Sequence, residues 1–304
     1  MNTPAMRPAN GRSAAARFAS SELAVAETAR EFKFSDADFR DLAQYAYTHA
    51  GIALSDSKRN LIYTRLSRRL RALGQTTFKE YRDYLVANES ELENFINAIS
   101  TNLTKFFRES HHFDHFRTHV AVPFVQQAHG KSGQRLRVWS AGCSTGEEPY
   151  TIAVVLKREI RNPADHDVRI LATDIDTNVI AKGVAGEYPL TSIDEVPKTY
   201  REYFQPLGGE PDATDIVMGD EVRSLISFAR LNLMDPWPFR GRFDAIFCRN
   251  VMIYFDGPTK SALVDRFTQQ LKPGGWLYIG HSESLIGSHP GLQLVGRTVY
   301  RREP

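Results

Sequence analysis

The chain has 304 residues, a length that predicts about two domains, and its net charge of +2 (38 Lys and Arg against 36 Asp and Glu) gives no reason to expect a polyanionic partner. Hydrophobic residues make up 42% and charged residues 24%, which is ordinary for a globular protein and excludes a mostly disordered chain. Cys143 and Cys248 are the only cysteines, so a disulfide scaffold is not expected and the reducing cytoplasm is favoured. No apolar run approaches the length of a membrane span.

The first part of the chain is predicted to be a tail and then a helical domain. Residues 1–32 are rich in Ala, Ser and Arg and too poor in apolar residues to build a core, so we expect a disordered tail. Residues 33–130 show helical periodicity and almost no strand signal. Ser35 with Asp38 is typical of a helix start. Further helices are predicted at 57–73, 77–87, 90–100 and 109–128, the last with a break at Pro123.

After Gly133 the pattern changes, and 131–304 is predicted to be an α/β domain. Short apolar strands now alternate with helices, which indicates a mostly parallel, doubly wound sheet. The predicted strands are 136–140, 168–173, 226–231, 243–248, 275–280 and a final pair ending near 300, and the helices are 147–161, 177–185 and 258–271. Residues 186–225 interrupt this rhythm and predict an inserted subdomain, in which DIVMGDEVRSLISF is typical of a small hairpin.

The segment AGCSTGEEPY (141–150) places a Gly-containing turn after the first strand of this sheet. Ligands of open parallel sheets bind at the carboxyl ends of the strands, but a single glycine-rich turn is shared by several classes of nucleotide-binding protein. Glu147 and Glu148 open the following helix, where a phosphate would need positive charge. Two carboxylates there would repel a pyrophosphate and attract a cation, although they are also explained by stabilisation of the helix dipole.

Asp174 ends the next strand, in the segment ATDID, where a carboxylate can accept hydrogen bonds from both hydroxyls of a ribose. Together with the acidic helix start, it predicts a pocket for a nucleoside that carries positive charge and no phosphate. S-adenosylmethionine, with its sulfonium and amino groups, fits that description. The ends of later strands add candidate site residues: Asn232, Leu233, Arg249, Asn250 and Tyr254. Polar residues are costly to bury without partners, so the polar members of this set indicate a site. Capping of the following helix is the alternative explanation for Asn250.

Five segments, in this order, carry a resemblance to a known family: TNLTKFFRE (101–109), AGCSTGEEPY (141–150), ATDIDTNVI (172–180), FDAIFCRNVMIYFD (243–256) and GGWLYIGHSESL (274–285). The chain resembles the bacterial chemotaxis receptor methyltransferases, the CheR family, from about residue 35 to 300. The resemblance implies an all-helical N-terminal domain followed by a class I, Rossmann-like methyltransferase domain. It also implies a small antiparallel β-subdomain at about 186–225.

The resemblance further implies methyl transfer from S-adenosylmethionine to glutamate side chains of chemoreceptors. By motif position, Asn102, Thr104 and Arg108 would reach over the cofactor. The residues expected to line its pocket are Glu147, Asp174, Asn232, Leu233, Arg249 and Asn250. The implied partners are the methylation helices of receptors and, in some members, a receptor's C-terminal peptide bound to the β-subdomain. We expect the protein to be a monomer that does not bind nucleic acid.

Transfer to a carboxylate needs no general base, because glutamate is already ionised at neutral pH. The sequence accordingly shows no Ser-His-Asp or Cys-His arrangement. We expect Arg108 either to orient the substrate carboxylate, since a guanidinium forms two parallel hydrogen bonds with it, or to close the cofactor site. Tyr254 is expected to donate one more hydrogen bond to the carboxylate.

The predicted helix 57–73 carries six cations and no acid. Lys58, Arg65, Arg68 and Arg69 form a stripe beside its apolar face, which predicts docking of an acidic partner such as a receptor helix. A solvated basic face is the plain alternative.

The segment HHFDHF (111–116) resembles a metal-binding sequence only superficially, because His111 and His115 alone supply too few ligands. A surface helix with Phe113 and Phe116 turned to the core is the preferred interpretation, and Cys143 is expected to be a turn residue. Three rival functions remain open. They are a nicotinamide dehydrogenase, a nucleic-acid methyltransferase and a protein that binds S-adenosylmethionine without transfer.

Overall fold

The computed structural model describes residues 30–160, 166–210, 212–283, 285 and 289–304. Its first part is a group of four helices: α1 (Asp36–Ala50), α2 (Arg59–Leu73), α3 (Phe78–Ala87) and α4 (Glu89–Ile99). The predicted start of α1 is confirmed, because Ser35 and Asp38 form a reciprocal capping box. A 3₁₀ turn, Asp56–Lys58, precedes α2. Within the described residues, no helix is both long and apolar enough to cross a membrane.

The helical part has its own apolar core, built from the inward faces of the four helices. Phe39 and Leu42 of α1 and Ile62 and Leu66 of α2 are among its buried members. Phe32 also belongs to this core and is only 9% exposed, so the predicted tail 1–32 is too long at its end. The rest of the predicted tail, residues 1–29, lies outside the described residues.

The second part is a seven-stranded sheet of order β6-β2-β1-β7-β8-β10-β9. Its strands are β1 (Arg135–Ala141), β2 (Asp167–Asp174), β6 (Ile226–Arg230), β7 (Phe243–Cys248), β8 (Leu271–Ile279), β9 (Leu292–Gly296) and β10 (Val299–Arg302). The first five in spatial order pair in parallel, while β10 pairs antiparallel with β8 and β9. This confirms the predicted doubly wound α/β architecture. Strands β2 and β7 lie on opposite sides of β1, so the strand order changes direction there, and ligands of such sheets bind at the strand ends beside this point.

The helices of this part cover both faces of the sheet. They are α5 (His111–Phe116), α6 (Val122–Ala128), α7 (Glu147–Glu159), α8 (Thr177–Ala185), α9 (Asp220–Arg223) and α10 (Gly257–Gln270). A π-helical stretch, Arg117–Ala121, joins α5 to α6 without interrupting the chain's helical course. The predicted break at Pro123 is therefore wrong: the proline lies in the first turn of α6, where its missing N–H is tolerated, and the irregularity falls one turn earlier.

Packing divides the chain earlier than residue 130, the predicted end of the helical domain. Phe113 and Phe116 of α5 and Val120 of the π-helical stretch are buried in the same apolar core as β1 and α7. The core of the helical part ends at Ile99. The division between the two cores along the chain therefore falls near residue 100, and the segment after residue 100 packs with the sheet.

The inserted segment forms a separate three-stranded antiparallel sheet of order β3-β5-β4, with β3 (Glu187–Pro189), β4 (Phe204–Pro206) and β5 (Asp215–Met218). This confirms the predicted antiparallel insertion but not the hairpin within DIVMGDEVRSLISF. DIVM is the central strand β5, whereas ISF begins β6 at the edge of the main sheet. Helix α9 lies between them and carries the chain from one sheet to the other.

The basic helix α2 is bound to α4 by an ion pair that its own sequence does not reveal. Arg69 donates to both carboxylate oxygens of Glu91, at 3.0 and 2.6 Å. Glu91 is 3% exposed, and its carboxylate also accepts from the Tyr81 hydroxyl at 3.1 Å. Removing one member of a buried pair leaves the other charge uncompensated, which costs far more than losing a surface cation.

We therefore predict that Arg69→Ala lowers the free energy of unfolding by about 3–5 kcal/mol, because Glu91 would remain buried without its cation. The matched control is Arg68→Ala, an exposed neighbour whose loss should change stability by less than about 0.5 kcal/mol. Urea unfolding followed by circular dichroism measures both. Equal stability of the two variants would contradict a structural role for Arg69.

Candidate active site

A cleft of about 1160 Å³, measured out to its open mouth, lies between the helical part and the carboxyl ends of the parallel strands. Both parts line it, with Ile62 of α2 on one side and Gly142 on the other. Ten of the predicted site residues line it: Lys58, Asn102, Thr104, Arg108, Asp174, Asn232, Leu233, Arg249, Asn250 and Tyr254. Glu147, Arg65, Arg68 and Arg69 are not among the lining residues.

The turn after β1 forms the floor of the cleft, and its glycines are required there. The N–H groups of Gly142 and Cys143 donate to the carbonyl of Thr173 at 2.7 and 2.9 Å, which joins the ends of β1 and β2. Gly142 has φ +85°, and a Cβ there would stand 2.2 Å from a methyl group of Val251. A side chain would therefore both strain the turn and displace the loop that carries Asn250.

Asp174 faces the cleft as a hydrogen-bond acceptor with capacity to spare. Its Oδ2 accepts from the N–H of Ser144 at 2.8 Å and its Oδ1 accepts from the N–H of Asp176 at 3.0 Å. Each carboxylate oxygen can accept a second hydrogen bond, as two ribose hydroxyls would supply. Burial raises the pKa of Asp174, and the two amide donors oppose that rise.

The two acids that open α7 have different roles. Glu147 accepts from the Thr145 hydroxyl at 2.6 Å and does not reach the cleft lining, so cofactor contact by its side chain stays a prediction. Glu148 does line the cleft. Its Oε1 accepts from the Ser140 hydroxyl at 2.7 Å, and its Oε2 lies 3.1 Å from Nη1 of Arg249. Burial raises the pKa of both carboxyls.

Arg249 is the buried cation of the site, with a side chain only 2% exposed. Its guanidinium lies 3.1 Å from Glu148 and 3.2 Å from Glu109, and it also donates to the backbone carbonyl of Arg108. The ring of Phe113 lies beneath it, 5.3 Å from the guanidinium carbon. The charge of Arg249 is thus neutralised by protein groups, and its side chain joins the segment that carries Arg108 to the end of β7.

The segment between α4 and α5, residues 100–110, is held over the cleft in a strained conformation. Phe107 and Glu109 have φ near +55°, a region that side chains other than glycine seldom occupy. Asn102 donates to Asp176 at 2.7 Å, and the Ser144 hydroxyl donates to the carbonyl of Asn102 at 2.9 Å. These contacts hold Asn102 beside Asp176 and the turn after β1.

Arg108 and Tyr254 line the same cleft. Nη1 of Arg108 donates to the carbonyl of Leu103 at 2.8 Å, and the Tyr254 hydroxyl donates to the carbonyl of Thr101 at 3.1 Å. The ammonium of Lys58 lies 4.7 Å from the centre of the Tyr254 ring. Burial raises the pKa of Tyr254, so its hydroxyl keeps its proton at neutral pH.

Two hydrogen bonds to backbone carbonyls join the helical part to this wall. The N–H of Ala53 donates to the carbonyl of Tyr254 at 2.8 Å, and the side-chain amide of Asn232 donates to the carbonyl of His49 at 2.8 Å. Asn232 therefore lines the cleft and anchors the end of α1 at the same time. Sequence patterns do not reveal this second role.

The cationic stripe predicted on α2 is divided between different environments. Lys58 lies at the cleft and Arg68 is exposed. Arg65 donates to the carbonyls of Ile99 and Ser100 at 2.9 and 2.6 Å, where the end of α4 offers unpaired carbonyls, and Arg69 pairs with Glu91. Partner docking by these residues stays a prediction, and Arg68 is the exposed member of the stripe.

The histidine segment is more deeply packed than predicted. Phe113 and Phe116 are buried, as expected, and His112 is buried beside them. Its Nε2 lies 3.1 Å from the Thr298 hydroxyl, and burial lowers the pKa of His112 to about 3. Within the described ranges no group of three or more metal-ligating side chains occurs. Burial raises the pKa of Cys143, so its thiol lacks the character of a nucleophile.

Comparison with protein-family models gives two adjoining matches: the CheR methyltransferase all-alpha domain at residues 37–100 and the CheR methyltransferase SAM binding domain at residues 102–301. The chain belongs to the CheR methyltransferase family. It is therefore an S-adenosylmethionine-dependent methyltransferase, and the cleft holds the elements expected for that cofactor. The two models adjoin where the two apolar cores meet.

Known proteins are similar along most of this CheR chain. A probable chemotaxis protein methyltransferase of Rhizobium etli is 42% identical over 259 residues, 84% of this chain and 96% of its own length. Chemotaxis protein methyltransferase 2 of Pseudomonas aeruginosa is 41% identical, with 89% and 95% covered. The chemotaxis protein methyltransferase of Escherichia coli is 43% identical, with 88% and 91% covered.

We predict that Asp174→Asn weakens binding of S-adenosylhomocysteine about 10- to 100-fold, since a charged acceptor is lost. In the native protein the affinity should fall as the pH drops through the raised pKa of Asp174, because the cofactor needs the ionised form. The stability of the ligand-free protein depends on pH with the opposite sign: because folding raises the pKa of Asp174, the free energy of unfolding increases as the pH falls. Calorimetric titration between pH 5 and 8 measures the affinity, and an unchanged affinity in the variant would contradict the assignment.

Proposed function

We propose that this CheR methyltransferase transfers the methyl group of S-adenosylmethionine to glutamate side chains of a chemoreceptor in the cytoplasm, forming glutamyl methyl esters. The names of its relatives, chemotaxis protein methyltransferases, support the pathway. The chemistry of the cleft supports the carboxylate acceptor.

The observation that carries the proposal is the lack of an available general base among the described residues of the cleft. Its lining contains no histidine. The carboxylate of Glu148 is paired with Arg249, the remaining acceptor positions of Asp174 would be taken by the ribose hydroxyls of the cofactor, and the thiol of Cys143 is buried and protonated. An amine or hydroxyl acceptor would need a group to take its proton. A glutamate arrives already ionised.

The substrate end of the cleft has the charge that such an acceptor requires. Arg108 and Lys58 line it, and Tyr254 offers a hydroxyl that retains its proton. A guanidinium and a phenol can orient a carboxylate without removing its charge. Binding the carboxylate too tightly would stabilise the ground state and slow the transfer, so positioning is the useful part of this contact.

The transfer step is an in-line displacement at the methyl carbon. A carboxylate oxygen forms the new C–O bond while the C–S bond breaks, and the electron pair of that bond remains on sulfur. A carboxylate and a sulfonium become a neutral ester and a thioether, so charge disappears along the reaction. A water-poor cleft favours this change, and holding the two reactants in line can contribute about 7–11 kcal/mol at most.

Receptor docking is the outer part of the proposal. Exposed Arg68, with Lys58 at the rim, gives α2 a positive face toward an acidic receptor helix. The small sheet β3-β5-β4 would bind a receptor's C-terminal peptide along an open strand edge. We propose that the protein works as a monomer.

The direct test incubates the purified protein with S-adenosylmethionine labelled in its methyl group and with receptor-bearing membranes. We expect label on the receptor that mild base releases as methanol, because methyl esters hydrolyse and methylamines do not. Nucleic acid is the parallel acceptor. Base-stable label, label on nucleic acid alone, or cofactor binding without transfer would each contradict the proposal.

We predict that Arg108→Ala and Tyr254→Phe lower kcat by about 10- to 100-fold while changing the affinity for S-adenosylhomocysteine much less, because both residues act at the substrate end. Tyr84→Phe, on α3 in the helical part, is the matched control and should keep native turnover. Initial rates of receptor methylation and calorimetric titration separate the two effects. Native rates in both variants would remove them from the mechanism.

A further inference from the structure

The segment GHSE (280–283), directly after β8, contains a buried acid that the proposed mechanism does not use. Glu283 is 7% exposed, and within the described residues no cation lies in salt-bridge distance of its carboxylate. Burial raises the pKa of this carboxyl, while several backbone N–H groups oppose that rise. A buried acid held by backbone amides alone calls for a reason other than ion pairing.

Three backbone N–H groups converge on this carboxylate. Oε2 accepts from Asn250 and from Gly280, each at 2.7 Å, and Oε1 accepts from Ile253 at 3.0 Å. Glu283 itself is folded back by a turn, with its N–H donating to the carbonyl of Gly280 at 2.9 Å. One side chain thus links the ends of β7 and β8 and the 3₁₀ turn Met252–Tyr254.

The pairing of the strands shows why a side chain is needed there. Cys248 is the last residue of β7 and pairs with Ile279 of β8. Beyond them the chain leaves the ladder, and Asn250 takes φ +59°, a left-handed conformation that directs its N–H away from regular pairing. The carboxylate of Glu283 accepts the hydrogen bonds that the separating strand ends can no longer exchange.

The same loop carries two residues of the cleft lining, Asn250 and Tyr254, four residues apart. The sequence analysis predicts that Asn250 contacts the cofactor, and the proposed function assigns Tyr254 to the substrate. Since Glu283 binds the N–H of Asn250 and that of Ile253, it sets the distance between the two. Gly280 completes the junction, because a Cβ there would come within 2.6 Å of the carboxylate and 2.8 Å of the N–H of Asn250.

We infer that Glu283 is a positioning residue for methyl transfer, whose carboxylate holds Asn250 and Tyr254 at a fixed separation through the backbone of their shared loop. Its action on the cofactor end requires only the established cofactor, whereas its action through Tyr254 rests on the proposed function. Positional errors of about 1 Å reduce enzymatic rates by about 100-fold, so an anchor far from the reacting atoms can be decisive.

The test replaces the carboxylate with an amide of the same shape, Glu283→Gln, which turns one acceptor oxygen into an N–H₂ group facing N–H donors. We expect binding of S-adenosylhomocysteine to weaken about 10-fold and kcat to fall about 100-fold with saturating cofactor. Glu283→Asp keeps the charge and should recover part of both. Ser282→Ala, an exposed change in the same turn, is the control and should match the native protein.

A second measurement separates positioning from general loss of stability. Rates are taken well below each variant's melting temperature, and Glu283→Gln is combined with Tyr254→Phe. If Glu283 acts through Tyr254, the double variant loses little more than the worse single variant. Losses that multiply, or a native kcat in Glu283→Gln at that temperature, would overturn the inference.

The cofactor arm keeps the two proposals distinguishable. Titration with S-adenosylhomocysteine needs no receptor, so weaker binding in Glu283→Gln supports the anchor even if the native protein fails to methylate glutamate. Native affinity in that variant counts against the anchor whatever the acceptor is.

Discussion

The site depends on one buried cation, Arg249. A guanidinium that is 2% exposed has lost its water and must be paired, and here Glu148, Glu109 and the carbonyl of Arg108 supply its partners. These partners come from the start of α7 and from the strained segment before α5. Because leaving the cation unpaired would be costly, the loop that carries Arg108 is fixed to the sheet before any substrate arrives.

A second constraint follows from the cleft's position between two separately packed cores. The helical part contributes the wall near Lys58, and backbone contacts from Ala53 and His49 fix it to Tyr254 and Asn232. Under the proposed function, Asp174 would face the cofactor, and Lys58 and Arg108 would face the substrate carboxylate. A sulfonium and a carboxylate would then lie on opposite sides of one methyl group, and the protein would need to supply only positioning and exclusion of water.

Sequence patterns predicted the architecture well, because alternating apolar strands and helices depend on local periodicity: helix 177–185 and strand 243–248 agree with the structure to the residue. Residues at strand ends were also predictable, since topology brings those ends together. Contacts between side chains that are far apart in the sequence were not predictable. Nothing local shows that Arg69 is paired with Glu91 or that Glu283 binds the loop after β7.

In the proposed reaction the acceptor enters the cleft already ionised, and no protein group removes a proton from it. The decisive measurement is the rate of a single turnover on receptor with saturating S-adenosylmethionine, between pH 6.5 and 9. We expect a rate that stays level across this range, because Tyr254 keeps its proton and the acceptor carboxylate has already lost its own. A rate that rises with pH along a titration curve centred in the range would reveal a general base and would rule out this reaction.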